Sequence, residues 1–142
     1  MAYQIKRKSK IKERLELCDE SGEVVLPIDV EINVDDIAKI ANAQQTLFMA
    51  KELIKKEPQN EKAQEAFGTA VLAVFAVLFG KENTEKILAF YDGRYIEMLK
   101  DIMPFIEKAL LPKIQAASED YARQISNSAL ANKRRTWRGL FQ

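Results

Sequence analysis

Residues 70–79 have the sequence AVLAVFAVLF, an unbroken run of ten apolar residues. The stretch before the run is amphipathic, with Ala63 and Phe67 among its apolar positions, and Gly80 follows it. A helix that is apolar all round must be buried on every side. We therefore predict a helix from Asn60 to Gly80 that is the central helix of the domain, or that is partly covered by another subunit.

Two alternating segments precede the helical part of the chain. Residues 24–33 alternate apolar and polar side chains with period 2, and residues 11–18 do so imperfectly. The sequence DESG at 19–22 between them is typical of a turn. We predict a β-hairpin in which Pro27, lacking an N–H, lies at an exposed edge or a bulge. A lone hairpin is marginally stable, so it must pack on helices or pair with another chain.

A first helix is predicted between the hairpin and the central helix. Asn33 is suited to cap its beginning, and the helix should run to about Glu57. Pro58 ends it, because a residue before proline avoids the α region. The expected buried stripe follows helical spacing and consists of Ile37, Ile40, Ala41, Leu47, Phe48 and Ile54.

Shorter helical patterns follow the central helix. Asn83 is predicted to cap a helix that the Asp-Gly pair at 92–93 breaks. Pro104 and Pro112 interrupt the next helical pattern, and each either kinks one long helix or starts a new one. Residues 113–131 continue the helical periodicity with a thinner apolar stripe.

These patterns together predict a mainly α protein with a short N-terminal β-hairpin, an α+β fold in one compact multi-helix domain. The domain should cover residues 1–132, with the hairpin at about 10–33 and the helical body at about 34–131. Residues 133–142 form a basic C-terminal tail. Only five glycines and four prolines interrupt the chain, which favours long regular elements.

Charge is distributed unevenly along the 142 residues, which carry 22 basic and 21 acidic side chains. Residues 1–12 hold five basic side chains and residues 133–142 hold four, with no acid in either stretch. The middle therefore carries 13 basic against 21 acidic side chains. An acidic middle suits a basic protein partner and slows non-specific sticking between copies.

Residues that commonly carry chemistry are scarce. The chain has no His and a single Cys, Cys18, so a Cys–His nucleophile pair is excluded and the commonest metal ligand is missing. Cys18 is expected to pack or to face water. Adjacent carboxylates along a helix or turn point in different directions, and this applies to the pairs at 19–20, 35–36 and 119–120. We predict a protein that is not an enzyme, with no catalytic residue, no cofactor and no metal site.

The sequence also predicts a cytoplasmic location. The basic N-terminus is not followed by the apolar segment of a secretory signal. The ten-residue apolar run at 70–79 is half the length of a membrane span of about 20 residues. We therefore expect no membrane partner and a location in the cytoplasm.

The basic tail is one of two candidate binding segments. Its residues Arg134, Arg135, Trp137 and Arg138 combine phosphate-binding guanidinium groups with an aromatic ring on which bases stack. Three interpretations stay open for it: a solubilising tail, a segment that docks on a neighbouring subunit, or a nucleic-acid contact. The acidic middle repels a polyanion and disfavours the third.

The second candidate segment is a stripe of Met, Leu and aromatic residues between positions 90 and 105. Such side chains adapt to varied apolar partners, although most stripes of this kind belong to the core. Core packing and partner binding both stay open. The stripe consists of Phe90, Tyr91, Tyr95, Met98, Leu99, Met103 and Phe105.

The run FGKENTEKILAFYDGRYIEMLKDIMPFI at 79–106 resembles the tail assembly chaperones of long-tailed bacteriophages, especially those that infect Gram-positive bacteria. The likeness covers most of the chain in layout and residues 79–106 in detail. It contains no catalytic motif. The matching positions are Phe90-Tyr91-Asp92, then Tyr95, Glu97, Met98, Leu99, Pro104, Phe105 and Ile106.

This resemblance implies a protein that binds and solubilises the tail tape measure protein before the tail tube polymerises around it. It also implies self-association into a homo-oligomer and absence from the finished virion. Family members are often made in a short and a frameshift-extended form, whose extension contacts tail tube subunits, and this chain looks like the short form. The alternatives are a small nucleic-acid-binding regulator that uses the basic termini, and a structural tail or connector component.

Overall fold

A computed structural model describes residues 2–5 and 10–126 of the chain. Within them a two-stranded antiparallel hairpin precedes the helices, which confirms the predicted fold class of a mainly α domain with an N-terminal hairpin. The elements are β1 (Ile11–Cys18), β2 (Val24–Ile32), a 3-10 turn (Val34–Asp36), α1 (Ile37–Lys56), α2 (Glu61–Phe79), α3 (Lys81–Phe90), α4 (Tyr95–Phe105), a π-helical segment (Ile106–Leu110) and α5 (Leu111–Ser126).

Helix α2 is the centre of the domain, as its composition predicts. It packs against α1, α3, α4 and β2. Val71 and Phe75 are completely buried, and Ala70, Val74 and Leu78 are nearly so. Surrounding elements therefore remove most of the apolar surface of the run at 70–79 from water. The run is not buried on every side, however, because Ala73 and Ala76 are exposed.

One helix among the described residues, α2, is long and apolar enough to cross a membrane by length and composition. Half of the window that meets this criterion is buried inside the protein. Core helices meet the same criterion, so the feature alone does not indicate a membrane protein.

The hairpin covers α2 and α3 with its apolar face. Leu17, Ile28, Val30 and Ile32 point inward and are buried, as period 2 requires. The pairing runs from Ile11 opposite Ile32 to Cys18 opposite Val24, with an irregularity between Leu17 and Cys18. Both strands of a two-stranded sheet are edges, so the predicted edge position of Pro27 is confirmed, and the irregularity lies elsewhere.

Two of the three predicted helix caps are wrong, and the third is confirmed. The Asn60 side chain accepts hydrogen bonds from the backbone N–H groups of Lys62 and Ala63, at 2.9 and 3.2 Å. The Asn33 side chain makes no such bond, because a 3-10 turn separates it from the beginning of α1.

Asn83 does not cap α3, because that helix begins two residues earlier. Gly80 has φ +85°, a left-handed conformation that favours glycine, and it joins α2 directly to α3. Asn83 therefore lies in the first turn of α3, where its side chain donates a hydrogen bond to the Phe79 carbonyl at 3.0 Å. The Asn83 side chain thus gives a hydrogen-bond partner to a free carbonyl at the end of α2 and not to a free N–H at the beginning of α3.

Neither Pro104 nor Pro112 starts a separate helix. Residues 95–126 form one continuous helical segment, with Pro104 inside α4 and Pro112 in the first turn of α5. The π-helical segment lies between the two prolines, and there the Leu111 N–H donates to the Ile106 carbonyl five residues earlier. The wider turn accommodates a proline pair that removes two regular backbone donors.

Helix α1 buries less of its predicted stripe than expected. Ile40 is buried, and Ile37, Leu47 and Ile54 pack against the core. Phe48 was expected to be buried and is 63% exposed, and Ala41 is exposed as well. The reason is that α1 packs on the body mainly along α2, which covers one side of the helix.

Candidate functional site

An apolar groove lies between α1 and α4. Its cavity volume is about 470 Å³. Phe67 and Val74 of α2 contribute to its lining, together with side chains of both flanking helices. The residues from those helices and from the segment after α4 are Gln44, Leu47, Phe48, Lys51, Ile96, Leu99, Lys100, Met103, Ile106, Glu107 and Leu111.

The packing of three helices explains the groove. Helices α1 and α4 both lie against α2 and hardly contact each other. Phe67 and Val74 of α2 lie at the bottom of the gap between the flanking helices and are only 8% and 3% exposed. The space between the two walls is concave and lined mostly by hydrocarbon, which is the usual character of a binding groove.

Large apolar side chains are exposed at this groove and beside it. Phe48 and Ile96 line it from opposite walls and are 63% and 58% exposed. Met49 and Leu53 are also exposed on α1, but they do not line the groove. Single exposed apolar residues are ordinary, but two that flank one concave apolar site favour an interaction surface.

Three charged side chains line the same groove. Lys51 comes from α1, Lys100 from α4 and Glu107 from the π-helical segment. None of the three forms an ion pair with another residue in the described part of the chain. Their charges are therefore available to a partner.

A second concavity of about 450 Å³ has the opposite character. It lies between the hairpin turn and the turn that joins α3 to α4, at 91–94. Six carboxylates and one guanidinium line it, which makes it strongly acidic. The lining residues are Glu16, Leu17, Cys18, Asp19, Glu20, Phe90, Tyr91, Asp92, Arg94, Glu97 and Asp101.

Two pKa shifts occur in this acidic cleft. Burial raises the pKa of Tyr91 to about 12, and the charge of Asp101, its hydrogen bond and the charge of Glu97 add to the effect. The Ser21 hydroxyl donates to Asp19 at 2.6 Å and lowers the pKa of that carboxyl, with the Glu23 N–H as the next cause. At neutral pH Tyr91 is therefore protonated and Asp19 is ionised, so neither is poised for proton transfer.

No group of three or more His, Cys, Asp or Glu side chains in the described residues has an arrangement that could hold a metal ion. Several carboxylates of the cleft instead meet nearby donors. Arg94 lies 3.6 Å from Glu97, and Arg14 lies 3.5 Å from Glu16. These contacts account for part of the cleft's polar surface.

The predicted stripe between positions 90 and 105 does not form one surface. Met98 is completely buried in the core. Leu99 and Met103 line the apolar groove. Tyr95 and Phe105 are half-buried and face α2, where each packs against an aromatic ring 6.3 Å away.

Phe90 and Tyr91 lie at the acidic cleft, away from the groove. Their rings meet edge to face, with centroids 5.2 Å apart, and both are half-buried. Of the seven residues in the stripe, the structure brings only Leu99 and Met103 together at the apolar groove.

Sequence reasoning missed the α1 wall of the groove. Leu47 and Phe48 were assigned to the buried stripe, and Lys51 and Ile96 were assigned no role. A signal was present: α1 has apolar residues at 47, 48, 49, 53 and 54, more than one buried stripe can hold.

The basic tail residues Arg134, Arg135, Trp137 and Arg138 lie outside the described residues. The same holds for residues 127–131 of the last predicted helix and for the predicted domain boundary at 132. The three interpretations of the tail therefore stay predictions.

The chain was compared with protein-family models, with curated proteins and with solved structures. Nothing matches in any of the three comparisons. What the chain does is therefore inferred from its own residues.

Proposed function

We propose that this chain is a non-catalytic assembly chaperone that holds an apolar helical segment of another protein in the groove between α1 and α4. The observation that carries the proposal is the groove itself. Hydrocarbon side chains from three helices line it, and large apolar residues such as Phe48 and Ile96 remain exposed there. Burying such surface against a partner is favourable by about 25 cal/mol per Å².

The dimensions suit a helix. The wall from Ile96 to Leu111 is roughly 20 Å long at a rise of 1.5 Å per residue, which matches about four turns of a partner helix. A partner would present apolar residues at helical spacing mainly to the walls, where Phe48 and Ile96 are exposed, because the floor residues are buried. Met103 and Leu99 have flexible side chains that adapt to different partner sequences.

The resemblance in residues 79–106 suggests the client. A tape measure protein is long, helical and insoluble alone, so its apolar stripes need cover until the tail tube assembles around it. A groove that covers one helical segment at a time would keep such a protein soluble in the host cytoplasm. Tail tube protein and other copies of this chain are further partners in the same proposal.

The proposal assigns no reaction to the protein. Leu47, Leu99 and Met103 offer only hydrocarbon and thioether to the groove. The tyrosine of the acidic cleft is no more acidic than an ordinary one, because burial and Asp101 raise its pKa from 10.0 to about 12. Binding and release of a client are sufficient for a chaperone, whose product is a soluble complex.

Coexpression with a phage tail tape measure protein tests this function. We expect a soluble complex that elutes as one peak in size-exclusion chromatography. Phe48→Asp and Ile96→Asp should each leave the client insoluble, because a carboxylate would then lie in the apolar groove. Val25→Asp is the matched control, since Val25 is 56% exposed on β2 and does not line the groove.

Circular dichroism must show that all three variants fold like the original chain. Insoluble client in the presence of the original chain would contradict the proposal. Equal recovery of complex with the groove variants and the control would move the client site away from the groove.

A further inference from the structure

We propose that the helix held in the groove carries acidic residues along the flank that faces Lys51 and Lys100. This inference rests on the proposed function, because it specifies the chemistry of the client segment at the same site. It follows from the position of three charged residues in a lining that is otherwise mostly apolar.

The directions of the helices define the two ends of the groove. Tyr95 at the beginning of α4 packs on Phe67, and Phe105 at its end packs on Phe79, so α4 runs parallel to α2. A short turn at 57–60 joins α1 to α2, and these two helices pack together as an antiparallel pair. Helix α1 is therefore antiparallel to α4.

The lysines share one half of the groove, and the glutamate lies in the other. Lys51 lies late in α1 and therefore near the level where α4 begins, and Lys100 lies one turn after Ile96. Glu107 lies about two turns beyond Lys100, near the far end. None of these three charges is paired with a described residue, and so a client helix would meet two free cations in one half.

The positive charge of the two lysines is opposite to the net negative charge of the chain's middle. Taken alone, that negative charge predicts a basic client. The difference matters because salt at physiological strength screens charges beyond about 8 Å. A helix seated in the groove lies within that distance of Lys51 and Lys100, and Glu107 is the one acidic side chain among the residues that line the groove. The charges nearest to the bound helix therefore decide whether the groove accepts a helix with an acidic or a basic flank.

Three helical peptides with the same leucine stripe test this inference. Their flanking positions are all Glu, all Gln or all Lys, and their affinities are measured by fluorescence anisotropy at low and high salt. We expect the Glu peptide to bind the original chain about threefold to tenfold more tightly than the Lys peptide at low salt, with a smaller ratio at high salt.

Charge reversal supplies the second arm of the test. The Lys51→Glu/Lys100→Glu variant should prefer the Lys peptide. The control variant Lys62→Glu/Lys81→Glu changes net charge equally at exposed lysines that do not line the groove, and it should keep the preference for the Glu peptide. Equal binding of all three peptides, or the same reversal in the control, would overturn the inference and leave the proposed function intact.

Two further outcomes would contradict more than the acidic flank of the client helix. Failure of all three peptides to bind would contradict the proposed function as well. Sedimentation of the chain alone completes the test: an oligomer that Lys51→Glu/Lys100→Glu dissociates would assign the groove to a second copy of this chain and overturn the proposal of an acidic client.

Discussion

The apolar groove and the acidic cleft are nearly equal in volume, at about 470 and 450 Å³, and helix α4 borders both. Their linings are nevertheless opposite in chemistry. Leu99 and Met103 line the groove. Glu97 and Asp101 line the cleft, and Met98 is buried in the core.

The difference teaches that volume alone does not identify a protein-binding site. A helix that covers the groove displaces weakly held water from hydrocarbon, which is favourable. A helix that covers the cleft would have to desolvate several carboxylates, and unpaired charges are costly to bury. The groove is therefore the better place to hold an apolar segment, although both concavities have room for side chains.

Met98→Ala should have the largest effect on the groove and the cleft together. Met98 is completely buried, and removing a buried methionine side chain costs about 2–5 kcal/mol. Helix α4 would lose its anchor, so groove and cleft should both become less well defined. Urea unfolding should show the loss as a lower midpoint.

Ile96→Ala is the control for Met98→Ala on the same helix. Its side chain is largely exposed, so its unfolding free energy should change by about 0.5 kcal/mol or less. Equal destabilisation by the two variants would show that α4 is not anchored through Met98.

A smaller effect, on peptide affinity, should distinguish the apolar groove from the acidic cleft. Met103→Ala removes part of the groove lining, and we expect it to weaken binding of a peptide with a leucine stripe about tenfold. Asp101→Asn changes the cleft at nearly constant volume and should leave that affinity unchanged. Calorimetric titration measures both, and a comparable loss in Asp101→Asn would mean that the peptide contacts the cleft.

Tyr91 makes the stability of the acidic cleft depend on pH. Its pKa in the folded protein is about 12, above the ordinary 10.0. Between these values the folded state holds a proton that the unfolded state has lost, so this stabilisation is complete below pH 10 and disappears as pH rises towards 12. The original chain should therefore lose more stability than Tyr91→Phe over this range.

Denaturant unfolding of the two proteins at a series of alkaline pH values measures that difference. All groups other than Tyr91 are common to both proteins, so their contributions cancel in the difference. A constant difference in unfolding free energy from pH 9 to pH 12 would contradict the raised pKa of Tyr91.

Local patterns predict those parts of the fold in which neighbours along the chain decide the outcome. The period-2 run in β2, the apolar run in α2 and the Asn60 cap all depend on a few adjacent residues. Asn83 shows the limit of such reasoning. Its type suits a cap, but the tight connection through Gly80 moves the beginning of α3 ahead of it.

The candidate site is less predictable, because it depends on where separate elements pack. The stripe at 90–105 appears continuous in the sequence, yet the turn at 91–94 separates Phe90 from Met103. Phe48 has the spacing of a buried residue and is exposed, because α4 does not close against α1. No pattern within α1 alone shows which of its apolar residues the rest of the chain leaves uncovered.

The smallest expected effect is confined to the hairpin turn beside the cleft. The carboxylate of Asp19 accepts hydrogen bonds from the backbone N–H groups of Ser21 and Glu23, both at 3.0 Å. Because the Ser21 hydroxyl and these amides favour the ionised form, its folded pKa lies below 3.8, and the turn's stabilisation is lost as pH falls through that lowered value.

Acid titration followed by NMR measures this effect residue by residue. The amide signals of Ser21 and Glu23 should shift together, with a midpoint below 3.8, while those of groove residues such as Leu99 stay unchanged. In Asp19→Asn the side-chain oxygen still accepts hydrogen bonds but does not titrate, so both shifts should disappear. A midpoint at or above 3.8 would mean that the amides of the turn do not stabilise the charge of Asp19. The hairpin turn would then not hold this carboxylate in place at the acidic cleft.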